Sequence, residues 1–485
     1  MPTPRRHLRF PDRALEAGFA AVRAEHEVPV EFSRQALAET HGAVARVAAG
    51  DTSPAWTPGE RRDLTDVEFV TVDPPGSTDL DQAMHLSRRP GGGYRVRYAI
   101  ADPAVFVVPG GALDRETHAR VETVYCPDTR VPLHPTDISE AAASLLSDGD
   151  RPAVAWTIDL DADGRQTAVH VERATVRSRA QLTYAEVQAE IDAGADSDSL
   201  AALLVEVGER RAALERERGG VSLSRPEQEV VDPASGGWDL VYRAALPVED
   251  HGAQISLLTG MAAAGLMLEA GVGVLRTMPA AGEGDVRRLR RTARALGVDW
   301  PAQEGYAALL DRLDRAEAST AAFLSAATVL FRGAAWTPFH GTPPDLLAHG
   351  AIAAPYAHVT APLRRLVDRY GSEVCLAAVA GRAVPDWVLT ALPTLGEVMA
   401  VGARRAAAVD RACTDLVEAA VLAPHVGSEF EGVALDDRTV QLRSPAVVAR
   451  AEGELPAGED VRVRLVAADP ATRTVRFTLS SPIAT

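Results

Sequence analysis

The chain has 485 residues and a formal net charge of −17, with 46% hydrophobic and 24% charged residues. These values are typical of a folded protein of roughly two to four domains, and they exclude a largely disordered chain. The excess of acidic residues also argues against a general polyanion binder, because non-specific binding of nucleic acids depends on a basic surface. Any contact with a nucleic acid must therefore be local.

Residues 1–60 are predicted to form a small helical module. Apolar residues between positions 11 and 48 recur every three to four residues, which predicts two or three short amphipathic helices. Two roles stay open for this module, substrate access and simple packing. No apolar run follows the basic N-terminus, so we expect no secretory signal.

Residues 61–425 are predicted to form a second domain of mixed strands and helices. The strands are expected at 67–72, 94–100, 105–108, 153–160 and 168–176. The helices are expected at 184–191, 200–218, 251–269, 285–296, 303–319, 362–380 and 394–423. The acidic segment 159–164 begins like a calcium loop, but His170 stands where such a loop has a bidentate glutamate, so we predict a hairpin turn.

Two stretches of this domain have a second interpretation. The apolar run 255–275 is about long enough to span a bilayer, but it is rich in glycine and alanine and contains Glu269. We therefore predict a buried core helix and no membrane association. The basic cluster at 287–291 fits a solvated helix face or a contact with nucleic acid, and both interpretations stay open.

Residues 426–485 are predicted to form a small barrel of the OB type. Five short strands, at 429–434, 438–443, 446–451, 460–467 and 473–479, alternate with turn residues. Such a barrel can bind single strands or serve as a structural cap, and the sequence does not decide between the two. With the preceding domain, the tail makes the fold class α+β.

Three cysteines, Cys126, Cys375 and Cys413, are far apart in the sequence and form no CxxC pair. This usage fits a reducing compartment, and it predicts neither a disulfide framework nor a zinc site. We expect a cytoplasmic, monomeric protein, and the sequence names no partner protein.

Three aspartates, Asp73, Asp79 and Asp81, lie within nine residues on a Pro-Gly turn that follows an apolar run. Carboxylate oxygens gathered at one point would bind a hard divalent cation, Mg²⁺ or Mn²⁺. In isolation, however, such a cluster is also typical of an ordinary polar loop. The interpretation therefore depends on the rest of the chain.

Three further stretches, 98–114, 120–135 and 356–368, contain motifs that in this order resemble those of the ribonuclease II family, the RNB-domain exoribonucleases. The resemblance covers roughly residues 66 to 425 and the tail barrel. It implies a processive 3′-to-5′ exoribonuclease that hydrolyses single-stranded RNA to nucleoside 5′-monophosphates. It also implies Mg²⁺, with Mn²⁺ as a substitute, at the bottom of a narrow channel.

The resemblance assigns roles to five residues. Asp73, Asp79 and Asp81 match three of the family's four metal-site aspartates, and Asp81 is expected to be the least dispensable. Tyr125 matches the tyrosine that holds the terminal nucleotide, and Arg364 matches the arginine at the scissile phosphate. The chemistry agrees, because carboxylates hold cations, a guanidinium offsets phosphoryl charge and an aromatic ring stacks on any base.

Other positions depart from the family or have less defined roles. Arg365 is expected to bind substrate, and Asp368 lies in the same motif. Gln82 replaces the fourth aspartate, which keeps an oxygen but loses a charge. Ala361 replaces a serine of the arginine motif. Asp410 aligns loosely with a glutamate of the catalytic region.

Two other functions stay open. One is an RNA-binding or scaffolding protein that has lost turnover, for which Gln82 is the main support. The other is a metal phosphohydrolase that acts on small phosphate esters. The family's N-terminal cold-shock barrels also do not fit before residue 66, so we predict a reduced grip on long or structured RNA.

Overall fold

The protein is described by a computed structural model that covers residues 12–221, 227–231, 238–314 and 317–482. Within these ranges the chain forms eleven α-helices, in the order α1 (Asp12–Glu25), α2 (Arg34–Ala48), α3 (Ala112–Arg120), α4 (Tyr184–Asp192), α5 (Leu200–Glu217), α6 (Pro247–Ala270), α7 (Glu283–Ala295), α8 (Tyr306–Arg312), α9 (Ala318–Ala327), α10 (Leu366–Val379) and α11 (Asp386–Leu422).

The same ranges contain nineteen β-strands. The first fourteen are β1 (Arg62–Asp63), β2 (Phe69–Asp73), β3 (Gln82–Arg88), β4 (Tyr94–Ala101), β5 (Val124–Tyr125), β6 (Arg130–Val131), β7 (Asp150–Leu160), β8 (Gln166–Thr183), β9 (Glu227–Val231), β10 (Asp239–Arg243), β11 (Val272–Thr277), β12 (Ala335–His340), β13 (Ala348–His349) and β14 (Ala354–Pro355). The tail adds β15 (Glu429–Ala434), β16 (Thr439–Leu442), β17 (Val448–Glu452), β18 (Asp460–Asp469) and β19 (Thr474–Pro482).

A six-stranded mixed sheet forms the centre of the fold. Its strand order is β1-β8-β2-β3-β4-β7, and β7 also pairs with β8, so the sheet curves back on itself. The long strand β8 pairs in parallel with β1 and β2 and antiparallel with β7. β2 and β3 are antiparallel neighbours inside this sheet, so the loop that connects them lies at one end of the strands.

Helix α6 packs between the sheet and the C-terminal helices, and many of its residues belong to the main hydrophobic core. Among the described residues it is the one helix long and apolar enough to cross a membrane, and 50% of that apolar window is buried inside the fold. Gly260 allows the segment around Ala357 to pack closely against α6, because a Cβ at Gly260 would lie 2.7 Å from the carbonyl oxygen of Ala357. The close contact fixes the chain that leads to Arg364.

The two ends of the described chain pack against α11. In the N-terminal module, α1 contributes Leu15, Phe19 and Val22 to a core that includes α11 residues and the tail. The tail is a closed barrel with the strand order β15-β16-β17-β19-β18. The α+β class and the C-terminal barrel are therefore confirmed, while the exact domain bounds stay predictions, and residues 1–11 and 483–485 lie outside the described ranges.

Three predicted elements were wrong or incomplete. No strand forms at 105–108. Instead, the proline after Asp102 begins a short 3₁₀ turn, Pro103–Val105, and a loop follows. Residues 105–107 are apolar because they are buried in the core. The helix expected at 303–319 is two helices, α8 and α9, and residues 315–316 lie outside the described ranges. The apolar run 255–275 is helical only to Ala270, where Gly271 adopts a left-handed conformation and β11 follows.

A buried ion network connects the central sheet to α10, the helix that follows Arg364. Asp102 Oδ2 accepts hydrogen bonds from Arg61 at 2.5 Å and from Arg173 at 2.7 Å, and Arg173 also donates to Glu373 at 2.5 Å. All four side chains are at most 5% exposed. Burial alone would raise the pKa of Asp102, but Arg173 and Arg61 hold it below its usual value.

Arg173→Ala should therefore destabilise the fold strongly, because it leaves Asp102 and Glu373 buried without their shared cation. We expect a loss of about 3–5 kcal/mol in the free energy of unfolding, measured by chemical denaturation. Arg177→Ala is the matched control, since Arg177 lies on the same strand and forms an exposed pair with Asp150. Equal losses for the two variants would show that the buried network is unimportant for stability.

Candidate active site

A cavity of about 1130 Å³ opens where the β2–β3 loop, the β5–β6 hairpin and the chain before α10 meet. Asp73, Asp79, Asp81, Tyr125 and Arg364 all line it. The structure thus brings together residues that are up to 291 positions apart in the sequence. We call these three segments the acidic loop, the hairpin and the arginine turn.

The acidic loop connects two neighbouring strands of the central sheet. β2 ends at Asp73, the chain turns through two prolines and Gly76, and β3 begins at Gln82. Gly76 has φ +79°, a left-handed conformation that a residue with a side chain adopts only at a cost. Because the loop is this short, its carboxylates stay at the end of β2 and the start of β3.

Asp81 connects the acidic loop to the arginine turn. Its Oδ1 accepts a hydrogen bond of 2.8 Å from the backbone N–H of Leu363, and its Oδ2 lies 3.3 Å from Nε of Arg364. Burial raises the pKa of Asp81 to about 7, although Arg364 and the Leu363 N–H both act in the opposite direction. The carboxyl group is therefore poorly solvated, and Arg364 is its main source of compensating charge.

Asp79 forms an ion pair with Arg130, which the sequence analysis did not identify as a site residue. Nη1 of Arg130, on the hairpin, lies 2.5 Å from Asp79 Oδ1, and Nη2 lies 3.1 Å from Glu140 Oε2. Arg130 also donates to the hydroxyl of Thr78. Its position in the same motif as Tyr125 was the one available signal, since arginine and acid are 51 residues apart.

Asp73 contributes a buried carboxylate oxygen to the acidic loop. Its Oδ2 is buried and has no hydrogen-bond partner among the described residues. Burial raises the pKa of Asp73 to about 6, with Arg364 opposing the shift and Asp79 adding to it. An isolated buried oxygen of this kind is unfavourable unless a cation or a donor meets it.

The residues present fit a divalent cation only in part. Within the described ranges, no group of three or more His, Cys, Asp or Glu side chains is arranged as a ready metal cluster. The aspartates share a cavity, but Asp79 and Asp81 are each engaged by an arginine. The unpartnered Oδ2 of Asp73 and the all-oxygen donor set nevertheless suit Mg²⁺ or Mn²⁺.

Gln82 does not offer the free oxygen that we expected of it. Its carbonyl oxygen accepts a hydrogen bond from the hydroxyl of Tyr98, and the hydroxyl of Ser256 lies 3.4 Å from the same oxygen. Tyr98 and Ser256 are themselves 2.9 Å apart, which closes a small hydroxyl network behind the loop. The amide therefore serves this network in place of a fourth metal ligand.

Tyr125 and Arg364 present their side chains to the cavity. Tyr125 belongs to β5 of the hairpin and is 51% exposed, so its ring can be covered by a ligand. The Arg364 side chain is 46% exposed and holds Asp81 only loosely, which leaves guanidinium donors for a ligand. Both residues line the cavity together with the three aspartates of the acidic loop.

Arg365 and Asp368 hold the arginine turn in shape. Nε and Nη2 of Arg365 donate to the Asp368 carboxylate at 3.0 and 2.8 Å, and the same carboxylate accepts from the N–H of Ala361 at 2.7 Å. Asp368 is completely buried. We therefore regard Arg365, expected to bind substrate, as a positioning residue at the cavity wall.

Asp410 is not brought to the site. It lies on the exposed side of α11 and is absent from the residues that line the cavity. The loose alignment that pointed to it placed the residue on the expected helix, but the rotation of that helix turns the carboxylate outward.

Comparison with known proteins matches most of the chain to one family. The RNB domain profile matches residues 61–377, and the profile of the RNase II-type exonuclease C-terminal S1 domain matches residues 428–480. The exosome complex exonuclease RRP44 homolog A of Arabidopsis thaliana is 28% identical over 335 residues, which are 66% of this chain and 35% of that protein. Ribonuclease R of Vibrio cholerae is 26% identical over 438 residues, 84% of this chain and 51% of that protein.

The chain spans only about a third to a half of the length of these relatives. Among solved structures, Mycoplasma genitalium RNase R in complex with ribose-methylated single-stranded RNA has a TM-score of 0.82 at 18% identity, covering 96% of this chain and 78% of that one. Yeast Ssd1, described as a pseudonuclease, has a TM-score of 0.67 at 14% identity, covering 85% and 52%. At these identities the likeness shows the fold alone, but the RNB profile covers more than half of the sequence, so the chain belongs to the RNB-domain family and ends in an S1 domain of the RNase II type.

Proposed function

We propose that the chain is a divalent-metal-dependent exoribonuclease that removes nucleoside 5′-monophosphates from the 3′ end of single-stranded RNA. The observation that supports this most is the shared cavity, which is lined by Asp73, Asp79, Asp81, Tyr125 and Arg364. Carboxylates for a cation, a guanidinium for a phosphate and a ring for a base are the groups that this reaction uses.

The side chains that line the cavity would have different roles in this reaction. Asp73 fits a cation, because no described residue gives its buried Oδ2 a hydrogen-bond partner. Asp81 holds Arg364 beside the acidic loop, where the guanidinium would meet the negative charge of the phosphoryl oxygens. Mg²⁺, when bound, supplies a more acidic water molecule and stabilises the departing 3′ oxygen.

Tyr125 would hold the terminal nucleotide by stacking. We expect Tyr125→Ala to raise the KM for a short oligoribonucleotide about 10- to 100-fold, because stacking on a base contributes about 1–3 kcal/mol. Tyr125→Phe keeps the ring and should stay close to the original KM. If Tyr125→Phe were as impaired as Tyr125→Ala, the hydroxyl and not the ring would be the binding group.

The barrel is proposed to add little affinity for RNA. Its exposed arginines are largely paired with acids, namely Arg443 with Asp460, Arg462 with Glu431, Arg464 with Glu429 and Arg476 with Glu452. Paired charges release few counterions on binding a polyanion. Together with the acidic net charge, this favours short single-stranded substrates over long ones.

A catalytically retired RNA-binding protein is the second candidate. The engaged oxygen of Gln82 favours it, since the loop then lacks one free ligand. Titration calorimetry with a ribose-methylated oligonucleotide separates the two candidates. We expect Mg²⁺ to tighten binding, whereas a retired site would bind the oligonucleotide equally well in chelator.

Three substrates test the proposal itself: a linear 5′-labelled oligoribonucleotide, the circular form of the same RNA, and a chromogenic phosphodiester. With Mg²⁺ we expect the linear RNA alone to be shortened, one nucleotide at a time from the 3′ end. Cleavage of the circle would indicate an endonuclease. Comparable cleavage of the small ester would indicate the phosphohydrolase considered from the sequence.

A further inference from the structure

The hairpin that presents Tyr125 to the cavity is too short to be stable by itself. Its strands β5 and β6 have two residues each, and they pair only Val124 with Val131 and Tyr125 with Arg130. Residues 126–129 form the turn between them. Even a longer two-stranded hairpin is only marginally stable in water. The position of the Tyr125 ring therefore depends on contacts from outside the hairpin.

The base and the second strand of the hairpin are held by segments of the cavity. The N–H of Thr123, just before β5, donates to the carbonyl of Arg364 in the arginine turn at 3.0 Å. On β6, the side chain of Arg130 pairs with the acidic loop. Neither contact reaches the tip of the hairpin, residues 126–129, so the turn needs an anchor of its own.

The N-terminal module supplies that anchor. Nη1 and Nη2 of Arg23, on α1, donate to Oδ1 and Oδ2 of Asp128 in the turn, at 2.6 and 2.9 Å. The two side chains are 11% and 15% exposed, so this ion pair is largely shielded from solvent. A bidentate pair of this kind fixes direction as well as distance. Asp128 follows Tyr125 by three residues, so a shift of the turn is passed to the ring.

The apolar side of α1 packs against the same hairpin. Leu15, Phe19 and Val22 of α1 share a hydrophobic cluster with Val124 and Val131 of the hairpin and with buried residues of α11. α1 is therefore held in place by the long helix α11, and the ion pair connects the hairpin turn to a fixed element.

We propose that Arg23 is a positioning residue for RNA binding, which acts through Asp128 to hold the hairpin so that the Tyr125 ring faces the cavity. The N-terminal module then contributes to substrate binding without touching the RNA. It does more than pack against the other domains, because it determines where the ring lies. The effect on RNA binding rests on the proposed function, whereas the bracing of the hairpin does not.

Hydrogen–deuterium exchange of the full chain, read by mass spectrometry, tests the brace without RNA. We expect Arg23→Ala to speed amide exchange in the hairpin peptide, residues 121–133, about tenfold, because the turn opens locally. Peptides of α10 should exchange as in the wild type. Arg34→Ala, which removes an exposed arginine from α2 of the same module, is the matched control and should leave the hairpin unchanged.

Two outcomes of this experiment would overturn the proposal. One is equal exchange of the hairpin peptide in Arg23→Ala and the wild type. The other is faster exchange throughout the chain, which would show a general loss of stability in place of a local brace.

A charge exchange tests whether the ion pair itself is the link. Arg23→Asp and Asp128→Arg each bring like charges together, so each single variant should show the fast hairpin exchange of Arg23→Ala. The double variant restores opposite charges and should return most of the way to the wild-type exchange rate. A double variant that exchanges as fast as the single variants would contradict the proposal.

Titration calorimetry with a ribose-methylated oligoribonucleotide tests the consequence for Tyr125. We expect Arg23→Ala to raise the Kd about three- to tenfold when Tyr125 is present, and to add almost nothing to the effect of Tyr125→Ala, because both changes act on one interaction. An equal increase of Kd in both backgrounds would mean that Arg23 does not act through Tyr125, and the proposal would fall.

The brace and the proposed function fail in different ways. Unchanged hairpin exchange in Arg23→Ala, in a chain that shortens RNA, would reject the brace and leave the nuclease standing. Faster hairpin exchange, in a chain whose wild type neither binds nor shortens RNA, would support the brace and reject both the nuclease and the role of Arg23 in RNA binding.

Discussion

Asp81→Asn is expected to lower the rate constant for RNA shortening by at least about 10³-fold, which corresponds to about 4 kcal/mol of transition-state stabilisation. The change removes the charge that holds Arg364 beside the acidic loop and removes one carboxylate from the cavity. Asparagine keeps an oxygen that can still accept from the N–H of Leu363. The fold should therefore survive, as thermal unfolding followed by circular dichroism will show.

Asp410→Asn is the matched control for this experiment. It removes one carboxylate from the same chain, but at an exposed position outside the cavity. We expect its rate to equal that of the wild type. An Asp81→Asn protein that is folded and shortens RNA within about tenfold of the wild type would show that the acidic loop is not the catalytic site.

Arg364→Ala should reduce kcat by about 10²–10³-fold, a typical cost for removing one preorganised group that stabilises transition-state charge. The side chain is half exposed at the cavity and lies 3.3 Å from Asp81, so donors remain for a phosphate. The effect should fall on kcat more than on the Kd for ribose-methylated RNA. Arg364→Lys should recover only part of the rate, because lysine cannot present two parallel donors.

Arg404→Ala, at an exposed position on α11, serves as the control for loss of one positive charge. Its kcat and Kd should match those of the wild type. If Arg364→Ala instead raised Kd and left kcat unchanged, Arg364 would be a binding residue with no role in the chemical step.

Local patterns predicted the long helices and the barrel strands, but they missed β3 of the central sheet and the short strands β9–β14. The strand at 94–100 and the helix at 200–218 were found within one residue or so of β4 and α5, because regular alternation and apolar periodicity report directly on burial. The barrel strands followed from their spacing. The strand prediction at 105–108 was wrong because a buried loop can be as apolar as a buried strand, and periodicity does not distinguish the two.

The site was predictable only where residues stand in a family motif. Asp81, Tyr125 and Arg364 were expected together, and they line one cavity. The charged partner of Asp79 was not predicted. Arg130 pairs with Asp79 across 51 residues, and no local pattern in the sequence connects the two.

The central claim is a cation-dependent attack at the 3′ end, and its most direct test is metal removal and return. A linear 5′-labelled oligoribonucleotide is incubated with the chelated protein, and Mg²⁺ or Mn²⁺ is then added while the products are separated by chromatography. We expect no change in chelator, and on addition of either metal a ladder that shortens from the 3′ end with release of nucleoside 5′-monophosphates. Shortening that persists in chelator, or an intact RNA with both metals, would contradict the account.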